Sequence, residues 1–328
     1  MFTRRRIVLA LGAGALATPL ASFAQQPSGN IPRIGLLWIQ SSGPSQNIEA
    51  FREGMRALGY VDGKNISIDD RSLVENYDGL AIAADRLARE RVSLIVTYGT
   101  TALQAAYKAS PGIPIVMASA ADPVKLGFAA SLSKPRGNVT GITSINMELS
   151  GKRLEVLKDL VPSTRRVAVL LASGSPTEMN SLKNFELAAR TLKLEARAVE
   201  VRNSDDIESA IAGISRKEVQ AIAMVGSTLF TANRKQLVNA IERILMPAIY
   251  ANSEFVEEGG LVSYGTNAGD QFRRLTIFVD KILKGTKPGD IPIEQPTTFE
   301  LAVNLKTAKA LGIKVPNSIL VRATKLIK

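Results

Sequence analysis

The residues best placed for chemistry lie where short apolar runs end in small polar residues. After the run over residues 93–98 comes Gly99-Thr100-Thr101, which opens a helical window directly. Glycine lets a ligand approach the backbone, and the free N–H groups of a helix start favour a carboxylate or phosphate. Taken alone the triplet is an ordinary N-cap. Beside its neighbours it reads as an anion-binding corner. Those neighbours are Trp38, Gln40 and Ser41 after the first apolar run, Ser119 and Asp122 after 113–118, and Ser173, Ser175 and Thr177 after 166–171. Gly226 and Ser227 follow 221–225, Tyr250 and Asn252 follow 247–250, and Tyr264 closes the run over 261–264. Most are Gly, Ser, Thr or Asn, the types that present N–H and hydroxyl donors to a small polar ligand.

Two of these positions leave two roles open. Asp122 either pairs with a ligand ammonium or hydroxyl, or caps the turn that Pro123 begins. Trp38, the one tryptophan, is either a stacking wall for an aromatic or apolar ligand or the amphipathic edge of the core.

The missing residue types exclude a great deal. With no His and no Cys among 328 residues, there is no Ser-His-Asp triad, cysteine nucleophile, thiolate or imidazole zinc site, or disulfide. A carboxylate-only enzyme survives, and so does a pure binding protein; no cofactor and no metal are expected. Residues 59–65 look like a phosphate loop but place three residues between the glycines and end in Asn. Gly12-Ala13-Gly14 lies in the N-terminal stretch that reads as an export signal, Glu257-Glu258 are sequential neighbours that cannot face one another across a glycosidic bond, and Lys306 and Lys309 read as surface.

The formal charge is +11, with three of the positives clustered at the start. Arg4-Arg5-Arg6, a short Ala/Gly/Leu-rich run from Ile7 to Leu20, and Ser22-Phe23-Ala24 before Gln25 have the form of an export signal over 1–24. The same arginines fit a twin-arginine signal or a plain Sec signal with a basic start. The run is too short and Gly-rich to span a bilayer comfortably, and the absence of Cys rules out a lipoprotein anchor. A periplasmic location, hence a diderm bacterium, is expected, with no stable membrane insertion after cleavage. Loss of 1–24, which holds three Arg and no acid, leaves +8. The remaining Lys and Arg are scattered and aromatics make up 5%, so the charge reads as solvated surface rather than a nucleic-acid face.

These polar ends have to be positioned by something regular. From Ile31 onward, apolar runs of four to eight residues alternate with amphipathic helical windows, the sign of βα units and parallel sheets. Strands are expected near 34–39, 65–70, 93–98, 113–118 and 138–142, with helices near 48–58, 77–88 and 101–109. The alternation then restarts with strands at 166–171, 196–201, 221–225, 247–250 and 261–264, and helices at 147–160, 178–193, 205–215, 233–245 and 268–283. A strand at 298–303 and a helix at 305–311 find no room in a closed first sheet. The fold class is therefore α/β, with two doubly wound parallel-sheet lobes in tandem, joined by short polar segments at 143–146 and 265–267 that suit hinges.

A series of stretches adds a family likeness to this reading. They include Phe51-Arg52-Glu53-Gly54 with Leu58-Gly59-Tyr60-Val61-Asp62-Gly63-Lys64-Asn65, Gly99-Thr100-Thr101-Ala102, Ile113-Pro114-Ile115-Val116 with Asp122-Pro123, and Gly137-Asn138-Val139-Thr140-Gly141. Further on come Lys152-Arg153-Leu154-Glu155, Pro247-Ala248-Ile249-Tyr250, Gly259-Gly260-Leu261-Val262-Ser263-Tyr264-Gly265 and Asn304-Leu305-Lys306-Thr307. In this order they resemble the periplasmic substrate-binding proteins of ABC transporters, in the tryptophan/tyrosine-type group, over essentially the whole chain from Arg33. The resemblance implies a type I periplasmic-binding fold with a three-crossing hinge. It places lobe one at 31–143 plus 266–292 and lobe two at 144–265 plus 293–328. It implies a monomer that captures a small ligand, an amino acid or other small carboxylate, between the lobes and delivers it to an ABC transporter permease. One departure stands out: where relatives commonly carry Asp-Pro before an aromatic, this chain has Ser227-Thr228-Leu229-Phe230. A ligand-sensing partner of a membrane receptor and an exported carboxylate-based hydrolase are the alternatives.

Overall fold

The computed structural model describes residues 31–40, 45–173 and 176–328. The expected export signal lies outside them, as do Ser41 and Ser175. Strands β1 (Arg33–Leu37), β2 (Ser67–Asp69), β3 (Leu94–Tyr98), β4 (Ile115–Ala120) and β5 (Val139–Thr143) form a parallel sheet in the order β2-β1-β3-β4-β5. Its inner strands are continuous apolar runs, because helices cover both faces. Helix α1 (Gln46–Ala57) buries Ile48, Phe51 and Met55, at the helical spacing read from the sequence. Helix α2 (Gly79–Arg89) packs Leu80, Ala84 and Leu87, and α3 (Thr100–Ala109) packs Ala102, Leu103 and Ala106.

The second series runs α4 (Ser150–Leu160), β6 (Arg166–Ala172), α5 (Pro176–Thr191), β7 (Glu195–Val201), α6 (Asp206–Ala212) and β8 (Ala221–Met224). It continues with α7 (Thr228–Ala232), α8 (Arg234–Arg243), β9 (Ala248–Tyr250), α9 (Glu254–Glu257) and β10 (Val262–Gly265). Its sheet has the order β12-β11-β10-β9-β8-β6-β7. Within it, β7-β6-β8-β9-β10 repeats the winding of the first sheet, so two doubly wound halves stand in tandem.

After β10 the chain returns to the first sheet. Helix α10 (Ala268–Leu283) buries Phe272, Leu275, Phe278 and Val279 in the core that also holds Trp38 and Phe51. A 3₁₀ turn at Pro288–Asp290 follows, and the Thr143 N–H then donates to the Glu294 carbonyl at 2.9 Å. The chain crosses back as β11 (Glu300–Asn304), α11 (Leu305–Ala310), α12 (Asn317–Arg322) and β12 (Lys325–Ile327). Three crossings thus join the lobes. The tail that had no place in the first sheet extends the second, and there β11 runs antiparallel to β10, a departure from the all-parallel expectation. Among the described residues, no helix is long and apolar enough to cross a membrane. The elements the sequence did not announce are α7, α9, α12 and β12, each six residues or fewer and too short for periodicity to register.

Candidate functional site

In open α/β sheets, ligands sit outside the carboxyl ends of the strands, where the strand order reverses. A cavity of about 240 Å³ lies there, bounded by residues that follow strands of both sheets.

On the first-lobe side, Gly99 adopts φ 85° and ψ 162° at the N-cap of α3. A Cβ at this position would meet Thr228 Cγ2 of the other lobe at 2.6 Å, so glycine meets both a backbone and a contact requirement. The first backbone bond of α3 runs from the Leu103 N–H to the Gly99 carbonyl at 3.2 Å, which leaves the amides of Thr100, Thr101 and Ala102 outside the helical ladder. The Thr100 hydroxyl oxygen accepts the Ala121 N–H at 2.9 Å, tying the loop after β4 to the start of α3. Ser119 has φ 51°, in the left-handed region, where the β4–β5 register shifts between Ala118 and Ala120. Such a bulge re-aims a side chain, at a backbone cost of about 1–3 kcal/mol. Here Ser119 lines the cavity beside Tyr98. Burial, aided by the nearby Glu254 charge, raises the pKa of Tyr98, so the phenol stays neutral.

Of the two roles open to Asp122, its geometry shows the cap. Oδ1 accepts the N–H groups of Val124 (3.0 Å) and Lys125 (3.2 Å), and Oδ2 lies 3.4 Å from Lys125 Nζ. Partial burial raises its pKa, but these donors outweigh that and hold the carboxyl below its ordinary value.

On the second-lobe side, Glu178 stands in the first turn of α5 and is 6% exposed. Its Oε2 accepts the Ala172 N–H at 2.9 Å, and its Oε1 accepts the Tyr77 hydroxyl at 2.8 Å. Desolvation dominates its titration and pushes the pKa up to about 7, against the hydrogen bonds from Tyr77, Ala172 and Ser227. Tyr77 belongs to the segment between β2 and α2, so this bond joins the lobes; its hydroxyl also lies 3.4 Å from Ser227 Oγ. The Ser227 hydroxyl caps α7, accepting the Phe230 N–H at 3.5 Å. Ala232 of α7 packs into the first-lobe core. The lobes are therefore in contact along this edge.

Asn146, in the first crossing, lines the cavity and is held from behind by Arg153. Arg153 is fully buried. Its guanidinium donates from Nη2 to Asn146 Oδ1 (2.7 Å) and the Ala251 carbonyl (3.3 Å), from Nη1 to the Asn146 carbonyl (3.3 Å), and from Nε to the Tyr264 carbonyl (2.8 Å). Burial lowers its pKa to about 10, which keeps it charged at neutral pH.

Of the residues singled out from the sequence, Gly99, Thr100, Thr101, Ser119, Asp122, Gly226, Ser227 and Asn252 border the cavity. Five stand away from it. The Trp38 indole is buried against Phe272, ring centroids 5.4 Å apart, which is the core-edge role rather than the stacking wall. Gln40 and Trp38 line a separate narrow crevice with Asn47 and Glu254. Tyr250 is turned into the second-lobe core and stacks on Phe255 at 5.1 Å. Tyr264 stacks at 6.2 Å on Phe299 and serves the site through its carbonyl. The Ser173 amide is drawn to the Val201 carbonyl at 3.0 Å. The Thr177 side chain lies outside what is described.

Thr228, next to Ser227, borders the cavity too, and so do Tyr98, Asn146 and Glu178, which were not singled out. Tyr98 ends a strand and reads as core, and Glu178 sits one turn into a helix rather than at a strand end. The signal for Asn146 was present: it lies in a segment already read as a hinge.

Comparison with known proteins yields a consistent set. A family model described as ABC transporter substrate binding protein matches residues 37–327. A protein of Clostridioides difficile named tyrosine-binding protein is 26% identical over 269 residues, covering 81% of this chain and 76% of the relative. Among solved structures, the ABC domain in complex with L-Trp from Streptococcus pneumoniae superposes with a TM-score of 0.82 at 26% identity, covering 90% of this chain and 99% of that one. A ligand-free, open substrate-binding protein from Clostridium difficile gives a TM-score of 0.62 at 22% identity, covering 91% and 100%.

Proposed function

Because the chain belongs to the ABC transporter substrate-binding protein family, we propose that it is the periplasmic receptor of an import system. In this reading it captures an amino acid, aromatic ones foremost, and hands it unchanged to a membrane permease. Lobe one comprises 31–143 with 266–292, lobe two comprises 144–265 with 293–328, and the receptor works as a monomer exported by the signal over 1–24.

The observation that carries this reading is the cavity itself. It is small, it lies between the carboxyl ends of two sheets, and hydroxyls and a helix start border it on one side while a buried carboxylate borders it on the other. The amides of Thr100 and Thr101 with the Ser119 hydroxyl supply donors for a ligand carboxylate. Ser227, Asn146 and Asn252 complete the cage from lobe two. The ligand stabilises the closed form because its second set of contacts exists only there. The relatives that bind L-Trp or are named for tyrosine support the ligand class. Among the described residues no group of three or more acidic side chains converges on a metal site, and this reading assigns the cavity no chemical step.

A thermal-shift screen against amino acids, their des-amino analogues, small dicarboxylates and sugars tests the proposal. A ligand at a hundred times its Kd adds about 2.7 kcal/mol of stability, a visible shift. A shift with aromatic amino acids, and recovery of the ligand unaltered, is the expected result. Turnover of the ligand, or a response confined to sugars, would contradict it.

A further inference from the structure

Resting on that reading, we infer that Glu178 is the counter-charge of the cavity and restricts it to ligands that carry a cationic group, an amino acid's ammonium being the natural one. Asp122, the acidic residue that the sequence brings forward for this role, is committed elsewhere. Two backbone amides and Lys125 take its carboxylate, and its side chain is 45% exposed. Glu148, the third acid on the cavity wall, is exposed. Glu178 differs from both in being buried.

A buried carboxylate is tolerated when a cation or several hydrogen bonds compensate its lost hydration. Among the described residues no Lys or Arg forms an ion pair with Glu178; its partners are the Tyr77 hydroxyl and the Ala172 amide. Among the described residues the one basic side chain on the cavity wall, Lys125, is exposed and paired with Asp122. Its described residues thus include three acids against one base, in a protein whose overall charge is strongly positive. That imbalance favours a ligand whose own cation turns toward the second lobe while its carboxylate turns toward the start of α3.

The placement also couples ligand charge to closure. Glu178, which borders the cavity, accepts the Tyr77 hydroxyl from the opposite lobe on Oε1. A cation seated on Glu178 therefore lies beside an interlobe contact, so ligand binding and lobe contact meet at one residue.

The test compares an aromatic amino acid with its des-amino analogue, for instance L-tryptophan with indole-3-propionate, by calorimetry on wild type, Glu178→Gln and Tyr77→Phe. Wild type is expected to prefer the amino acid by about tenfold or more, and Glu178→Gln to lose most of that preference. Tyr77→Phe keeps the carboxylate and loses the interlobe bond, so it should weaken both ligands alike and retain the preference. Equal binding of the two ligands by wild type overturns the inference and needs no variant to show it. A Glu178→Gln protein that keeps the full preference overturns it as well, while leaving the amino-acid reading intact. A wild type that binds neither ligand nor any other amino acid removes that reading, and the inference with it.

Discussion

The Tyr77 hydroxyl donates to Glu178 Oε1 at 2.8 Å across the junction of the two lobes, from the loop before α2 to the first turn of α5. Glu178 is buried and Tyr77 half-buried between the lobes, so the bond exists in the arrangement in which the lobes meet and is broken when they part. A neutral donor to a buried carboxylate is worth about 1.5–3 kcal/mol. Tyr77→Phe should therefore raise the Kd of every ligand by roughly tenfold or more and shift the unliganded protein toward the open form. Small-angle scattering would register that as a larger radius of gyration, and an unchanged radius with unchanged affinity would count against the contact as a latch.

The titration of Glu178 gives a pH dependence with a defined sign. Its carboxyl titrates near 7 in the folded protein against an ordinary value of 4.5, so the folded state holds the proton more tightly. Stability from this group is complete below 4.5 and is lost as pH rises through 7. The loss amounts to about 3 kcal/mol. Asp122, whose carboxyl is held below its ordinary value, acts with the opposite sign and at lower pH. Ligand-free wild type should thus melt at lower temperature at pH 8 than at pH 5.5, and Glu178→Gln should flatten the difference. Calorimetric melts of the two proteins at both pH values measure it.

Gly99 combines a positive φ with a close approach to Thr228. Gly99→Ala is expected to cost about 1–2 kcal/mol in stability through the backbone, and to cut ligand affinity further by holding the lobes apart. Adding Thr228→Ala removes the methyl group that the new Cβ meets. The double variant should regain affinity while keeping the stability loss. Equal affinity in the single and double variants would show that closure does not bring these residues together.

Arg153 joins three segments through four donated bonds to Asn146, Ala251 and Tyr264. Arg153→Met leaves those acceptors buried without a donor and should destabilise the protein by about 3 kcal/mol or more. Arg153→Lys keeps the charge but not the planar fork, so it should recover only part of the loss. Denaturant unfolding of both variants decides the point.

The alternation of apolar runs and helical windows sufficed to locate every strand of the first sheet and the doubly wound pattern of the second, because buried parallel strands and amphipathic helices each leave a period in the sequence. The antiparallel pairing of β11 left no such mark: direction is set by the three-dimensional return of the chain after Glu294, which local pattern does not encode. The polar strand ends led to Gly99, Thr100, Ser119 and Ser227 at the cavity. They did not separate Tyr250 from these, since whether a residue at a strand end turns to the cavity or to the core depends on what packs beside it, here Phe255. Glu178 escaped for the converse reason. It reads as an ordinary acid in the first turn of a helix, and its burial follows from Tyr77, a hundred residues away in sequence.

The central claim is that the lobes hold one small amino acid and release it unaltered. Isothermal titration of the purified protein with L-tryptophan and L-tyrosine, followed by chromatography of the recovered ligand, tests this most directly. The account predicts saturable binding of at least one of them at a single site per chain, with the ligand returned intact. Binding of neither, or a ligand returned as a different compound, would contradict it.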